Sequence, residues 1–137
     1  MLAPTVPQGY IYTVTIVKNS RTKSEIIACT ADDTNYTVYT CPANAKAHMN
    51  LLFITNGSVN DSDVLIRWYR ASKDTKFFIL GTRNLGGGEF IQFDGGAFIV
   101  LEPGDYIEAR PFNTAGGNDP VIDVFCTVEE FFIPVGG

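Results

Sequence analysis

Residues 76–110 read KFFILGTRNLGGGEFIQFDGGAFIVLEPGDYIEAR, and this stretch decides the fold. Its apolar runs, 77–80, 90–93, 98–101 and 106–109, are separated by Gly86-Gly87-Gly88, Gly95-Gly96 and Pro103-Gly104. Runs this short cannot make useful helices, whereas short strands bounded by Gly and Pro are the regular pattern of antiparallel β structure. Asp94-Gly95 between two apolar runs predicts a hairpin. Glu102-Pro103-Gly104-Asp105 predicts a type II turn, with Pro fixing φ at the second position and Gly supplying positive φ at the third.

The rest of the chain extends the pattern. Residues 10–18, YIYTVTIVK, alternate aromatic and β-branched side chains, and 25–31, EIIACTA, predict a second strand, the polar 19–24 turning between them as a hairpin. Strands follow at 36–40, at 46–55 and at 64–71, the last pairing with 76–80 through a tight link. In 46–55, period-two alternation puts Ala47, Met49, Leu51 and Phe53 on one face and His48, Asn50, Leu52 and Ile54 on the other. In 64–71, Trp68 points to the core and Arg67 and Tyr69 outward. Residues 82–89 and 112–119 read as loops, and 121–132 as the last strand. Nine to ten short strands without a helical period predict an all-β protein, an antiparallel jelly-roll-like β-sandwich. The expected organisation is an extended N-terminal arm (1–9), a single sandwich domain (10–133) and a C-terminal tail (134–137).

At 137 residues the chain can bury one core without staples. Its formal net charge of −5, with no stripe of Lys or Arg, speaks against a nucleic-acid partner. The three cysteines, Cys29, Cys41 and Cys126, are odd in number and widely spaced, which suits neither a disulfide framework nor a zinc site. Cys29 and Cys126 are expected in the core. The opening residues have no signal-peptide pattern, and no run approaches the roughly 20 apolar residues that cross a bilayer. A reducing cytoplasm and no membrane contact are the expectations.

The residues also offer no catalytic set. With His48 the sole histidine, a His-rich metal site is excluded by count. Gly86-Gly87-Gly88 precedes a strand rather than a helix and lacks a Lys-Ser/Thr, so a turn or bulge is expected there. Asn60, Asp61 and Asp63, or Asp32 and Asp33, lack the spacing of a calcium loop. Glu129 and Glu130 are adjacent on a strand and therefore point to opposite faces. No enzyme activity and no cofactor are expected.

Pro42-Ala43-Asn44, FITN at 53–56, WYRAS at 68–72, FFILG at 77–81, LEPGD at 101–105 and VEEFF at 128–132 occur in an order that resembles small β-sandwich virion structural proteins of tailed bacteriophages. The resemblance covers about two-thirds of the chain. It implies a non-enzymatic protein of the virion, assembled in the host cytoplasm, with a capsid decoration or cement role foremost. The implied partners are the major capsid protein or other virion proteins and further copies of the chain, as a homotrimer. Within that implication, Leu2, Pro4, Val6 and Pro7 of the arm are the candidate capsid contacts. Arg67, Tyr69, Phe112 and Pro134 are the candidate contacts between copies. Two alternatives stand beside it: a tail, neck or fibre-associated virion protein, and a carbohydrate-binding module using Tyr10, Tyr12 and Tyr39 as an open aromatic platform.

Overall fold

The structure is a computed structural model that describes residues 19–134, with 96–98 described by backbone alone. Eight strands fill it: β1 (Ser20–Cys29), β2 (Tyr36–Thr40), β3 (Ala45–Asn56), β4 (Ser62–Arg70), β5 (Thr75–Leu85), β6 (Phe90–Leu101), β7 (Tyr106–Thr114) and β8 (Ile122–Phe132). They form two four-stranded antiparallel sheets, in the orders β1-β8-β3-β6 and β2-β7-β4-β5. Apart from the β4–β5 hairpin, every connection crosses from one sheet to the other, which is the jelly-roll arrangement the strand count predicts.

Inward side chains of both sheets interdigitate. Met49, Leu52, Ile54, Ile66, Leu101, Ile107, Ile122, Val64, Val124 and Val128 are all fully buried. Each such side chain stabilises the fold by about 1.5–3 kcal/mol through removal from water. Cys29 and Cys126 lie in this core as expected, and Trp68 packs against its margin.

The predicted turn at 102–105 forms. Gly104 has φ +85, and the Asp105 N–H donates to the Glu102 carbonyl at 2.9 Å. Buried Asp105 then ties the turn to the neighbouring hairpin by accepting from the Ala71 N–H (2.8 Å), the Glu102 N–H (3.0 Å) and Trp68 Nε1 (3.2 Å). Residues 71–73 form a short 3-10 turn that closes β4 onto β5.

Several expectations are corrected. Residues 20–24 are not a turn but the first half of β1, because β8 offers a continuous ladder: Ser20 to Phe131 through Cys29 to Ile122. Pairing overrides weak propensity when polar side chains can face solvent. Asp94-Gly95 does not make a hairpin. Both flanks run antiparallel to β3, with Met49 opposite Ile99 and Leu51 opposite Asp94, so 95–98 form a wide bulge in a single strand. The loops expected at 82–89 and 112–119 shrink, since β5 runs to Leu85 and β7 to Thr114. Pro111 is tolerated in a central strand because it lies beyond the end of β2; its carbonyl accepts from the Asp33 N–H at 2.8 Å.

A subtler correction concerns β3. Against β8, Met49 pairs with Val128 and Leu51 with Thr127, so Asn50 is an extra residue. One inserted residue flips the alternation that follows. Ala47 and Met49 point inward as expected, but beyond the bulge Leu52 and Ile54 are buried and Leu51 and Phe53 face outward. The arm at 1–9 and the strand expected at 10–18 lie outside the described residues.

Candidate interaction surfaces

The outer face of β2-β7-β4-β5 is a closed charge lattice. On β4, Arg67 sits between Glu108 of β7 and Phe78 of β5, and Tyr69 sits between Tyr106 and Lys76. The Glu108 carboxylate, almost fully covered, binds the Arg67 guanidinium at 2.6 Å and Lys76 Nζ at 3.2 Å. Tyr69 stacks on Tyr106 with centroids 4.6 Å apart and donates its hydroxyl to Asp74 at 2.7 Å. Arg110 spans Asn35 (2.8 Å) and Asp33 (3.1 Å). The charged side chains named here are thus tied to partners within the chain, although Phe78 at the edge of this face stays 64% exposed.

The outer face of β1-β8-β3-β6 is different in kind. Register aligns Ile26, Phe125, Phe53 and Gln92 across the four strands, and in the next row Ala28, Asp123, Thr55 and Phe90. Ile26 is 72% exposed and Phe90 59%, and the Phe53 and Phe90 rings lie 5.0 Å apart. Further along, His48 packs on Phe131 at 4.6 Å. Apolar side chains therefore cross the whole width of this sheet in water.

The two ends of the sandwich also differ. The β1–β2, β3–β4, β5–β6 and β7–β8 connections gather at one pole; the chain leaves at Asn19 and at Ile133 from the other. At the loop pole Val59 is 92% exposed on a loop held rigid from beneath. Buried Asn56 donates to the carbonyls of Asn60 (2.8 Å) and Leu85 (2.9 Å) and accepts from Ser58. Gly87 is required there: a Cβ at that position would come within 2.4 Å of the Val59 carbonyl. Asp32, Asp33, Asp61, Asp63, Glu89, Asp119 and Asp123 surround this pole against Arg83 and Arg110. The excess equals the whole net charge of −5, and the remaining charges of the chain balance. The loop pole is thus an apolar tip ringed by carboxylates, an arrangement that steers basic surfaces toward it.

Asp105 and Glu108 are buried carboxylates, and a third, Glu130, lies between the two sheets. Glu130 is fully buried, accepting from the Tyr39 hydroxyl at 2.5 Å and Arg21 Nε at 2.6 Å. Burial opposes its charge, but these donors win and hold its carboxyl below the ordinary value. Burial, followed by the Glu130 hydrogen bond, pushes the Tyr39 hydroxyl well up. Burial likewise pushes the Cys29 and Cys126 thiols to about 12 and Cys41 to about 11, so none is a ready nucleophile at neutral pH. Glu129 does face away from Glu130, on the outer side.

Among the described residues there is no enclosed pocket and no cluster of three metal-ligating side chains. The glycine loop is a turn in which Glu89 Oε1 accepts from the Gly86 N–H at 2.7 Å, occupying the donor an anion would need. Asp32 accepts from the Asn113 N–H, Asp33 pairs with Arg110 and Asp63 accepts from Asn84. Tyr39, expected on an open aromatic platform, is only 3% exposed because it crosses the core to reach Glu130.

Of the candidate contact residues, the structure brings together Arg67 and Tyr69, side by side on the charge lattice. Phe112 lies on β7 toward the loop pole, half-buried, and Pro134 is exposed at the opposite pole, so the four do not form one patch. Leu2, Pro4, Val6 and Pro7 lie outside the described residues. The apolar row of Ile26, Phe53, Phe90 and Phe125 was missed; the strand alternation around Ile26 was a visible signal for it, whereas the Asn50 bulge hid Phe53.

No protein-family model and no curated protein matches the chain. Solved structures do. The chain is similar to one of the Gx strain of infectious bursal disease virus (11% identity, TM-score 0.52, covering 88% of this chain and 34% of that one). It is also similar to one of the T=1 particles derived from infectious bursal virus (11% identity, TM-score 0.52, covering 82% and 32%). The chain therefore spans about a third of the length of these virus chains. A further match is the capsid structure of Helicobacter pylori bacteriophage KHP30 (11% identity, TM-score 0.49, covering 87% and 92%). The likeness to the two infectious bursal disease virus structures supports the sandwich fold.

Proposed function

We propose that this chain is a non-enzymatic structural protein of a bacteriophage virion, specifically a decoration or cement protein that binds the outer head surface as an oligomer and stabilises it. The observation that carries the reading is the contrast between interior and surface: polar groups are spent on internal ties, while apolar side chains are left on a sheet face and a rigid loop tip. Such a body adheres; its described part offers no cleft in which a bond would be made or broken. The jelly-roll likeness to the infectious bursal disease virus structures favours the same reading.

In this reading Leu2, Pro4, Val6 and Pro7 contact the shell, and copies associate as a trimer. Arg67 and Tyr69 already hold partners within their own chain, so as contacts between copies they contribute shape more than charge, with Phe112 and Pro134 at the margins. Adding the purified chain to phage heads that lack it, followed by electron cryomicroscopy, tests the proposal. Repeated density on the outer head surface and a raised temperature of head disruption are expected. Density confined to the tail, neck or fibres, or none, would contradict it.

A further inference from the structure

Among the described residues, four strands of this sandwich have an edge without a strand partner, and three of them are broken. β2 shifts register between Thr37 and Tyr39, β5 shifts twice against β4, and β6 carries the wide bulge at 95–98. Bulges of this kind are how proteins blunt an edge against unwanted pairing. β1 is the exception: its ten residues pair with β8 without a single shift, so its other edge presents a straight, regular row of backbone donors and acceptors. Its outward side chains Thr22, Ser24, Ile26 and Ala28 are uncharged and exposed. Ile26 begins the apolar row that crosses the sheet.

We infer that the edge of β1 is a strand-acceptor site and that its occupant is the 10–18 stretch of a neighbouring copy. As a strand, YIYTVTIVK spans about 30 Å, the length of β1. One of its faces carries Tyr10, Tyr12, Val14 and Ile16, which continue the apolar row beyond Ile26. Residues 1–18 hold no acidic side chain and one basic one, Lys18, and the rest of the chain is net acidic, so charge favours the contact. The chain's course at Asn19 argues for exchange between copies. The Asn19 carbonyl accepts from the Phe132 N–H at 2.7 Å, so the chain is still running along the sheet as it leaves the pole. Doubling back onto its own β1 would require a turn at Lys18-Asn19, which lacks the glycine that two-residue hairpin turns favour. Main-chain pairing supplies the affinity and the alternate apolar side chains supply the register. The inference goes beyond the virion reading and holds for the free protein.

The test uses full-length chain in solution without capsid. A photo-crosslinking amino acid replaces Ile26 in copies labelled with 15N, and these are mixed with unlabelled copies carrying the same change. Mass spectrometry of the crosslinked peptides is expected to show position 26 joined to residues 10–18 in mixed-isotope pairs. Val14→Asp should reduce that product by at least about tenfold, while Val14→Ile keeps it, with circular dichroism confirming the fold of each. Same-isotope products alone would mean the stretch folds onto its own chain, and products mapping elsewhere or absent would mean the edge accepts another strand or none; each overturns the inference.

Discussion

The two outer faces of this sandwich rest on one shared core and solve opposite problems. On β2-β7-β4-β5 the charges of β7, β4 and β5 find partners on one another or on the β1–β2 loop, with Glu108 gathering Arg67 and Lys76 and Asp33 holding Arg110. On β1-β8-β3-β6 the outward side chains include Ile26, Phe125 and Phe53 in one row and Phe90 in the next. The first face is mostly a network of ion pairs with Phe78 exposed at its edge; the second leaves apolar area in water across several strands that another surface can cover. A search for contacts guided by conspicuous Arg and Tyr lands on the face that needs no partner.

The sharpest break in the comparison comes from removing the hub of the charge lattice. Glu108→Ala strands two cations on a nearly covered carboxylate position and should cost about 3 kcal/mol, read as a lower urea midpoint with unchanged slope. A loss under about 0.5 kcal/mol would mean the lattice is merely decorative. Next comes Glu130, whose lowered carboxyl pKa gives stability that is present above the usual carboxylate value of 4.5 and is lost as pH falls through its folded value. Glu130→Gln should lose about 1–2 kcal/mol at pH 7 and show a flatter acid limb in unfolding measured from pH 7 to pH 3. Parallel limbs for both proteins would refute the assignment. The exposed Arg110–Asp33 pair is worth less, and Arg110→Ala should shift stability by no more than about 0.5 kcal/mol by the same assay. The smallest stability effect belongs to the apolar face: Phe90→Asp should leave the unfolding midpoint within about 0.5 kcal/mol, yet reduce self-association seen by sedimentation. A large loss of stability would mean Phe90 serves its own fold.

Much of this architecture was legible in the chain. The LEPGD turn, the β4–β5 hairpin and the core thiols follow from local chemistry, since Pro-Gly geometry and strand alternation act over a few residues. What escaped reading depended on distant partners. Residues 20–24 become a strand only because β8 lies alongside, and Asp94-Gly95 opens a bulge rather than a hairpin because β3 pairs with both flanks. The decisive case is Asn50, a single bulged residue that turns Phe53 out to solvent and Leu52 in. Period-two alternation cannot reveal an inserted residue, so the surface that matters most was also the hardest to see.

In the proposed reading the β1 side of the apolar sheet is adhesive and the charge-latticed sheet needs no partner. Hydrogen–deuterium exchange of the intact chain over a hundredfold concentration range tests it most directly. Growing protection of β1 amides and of the strands beneath Phe90 and Phe125 as concentration rises, with β5 and β7 unchanged, is the predicted result. Protection that rises instead on β5 and β7, around Arg67 and Tyr69, while β1 stays open would contradict it.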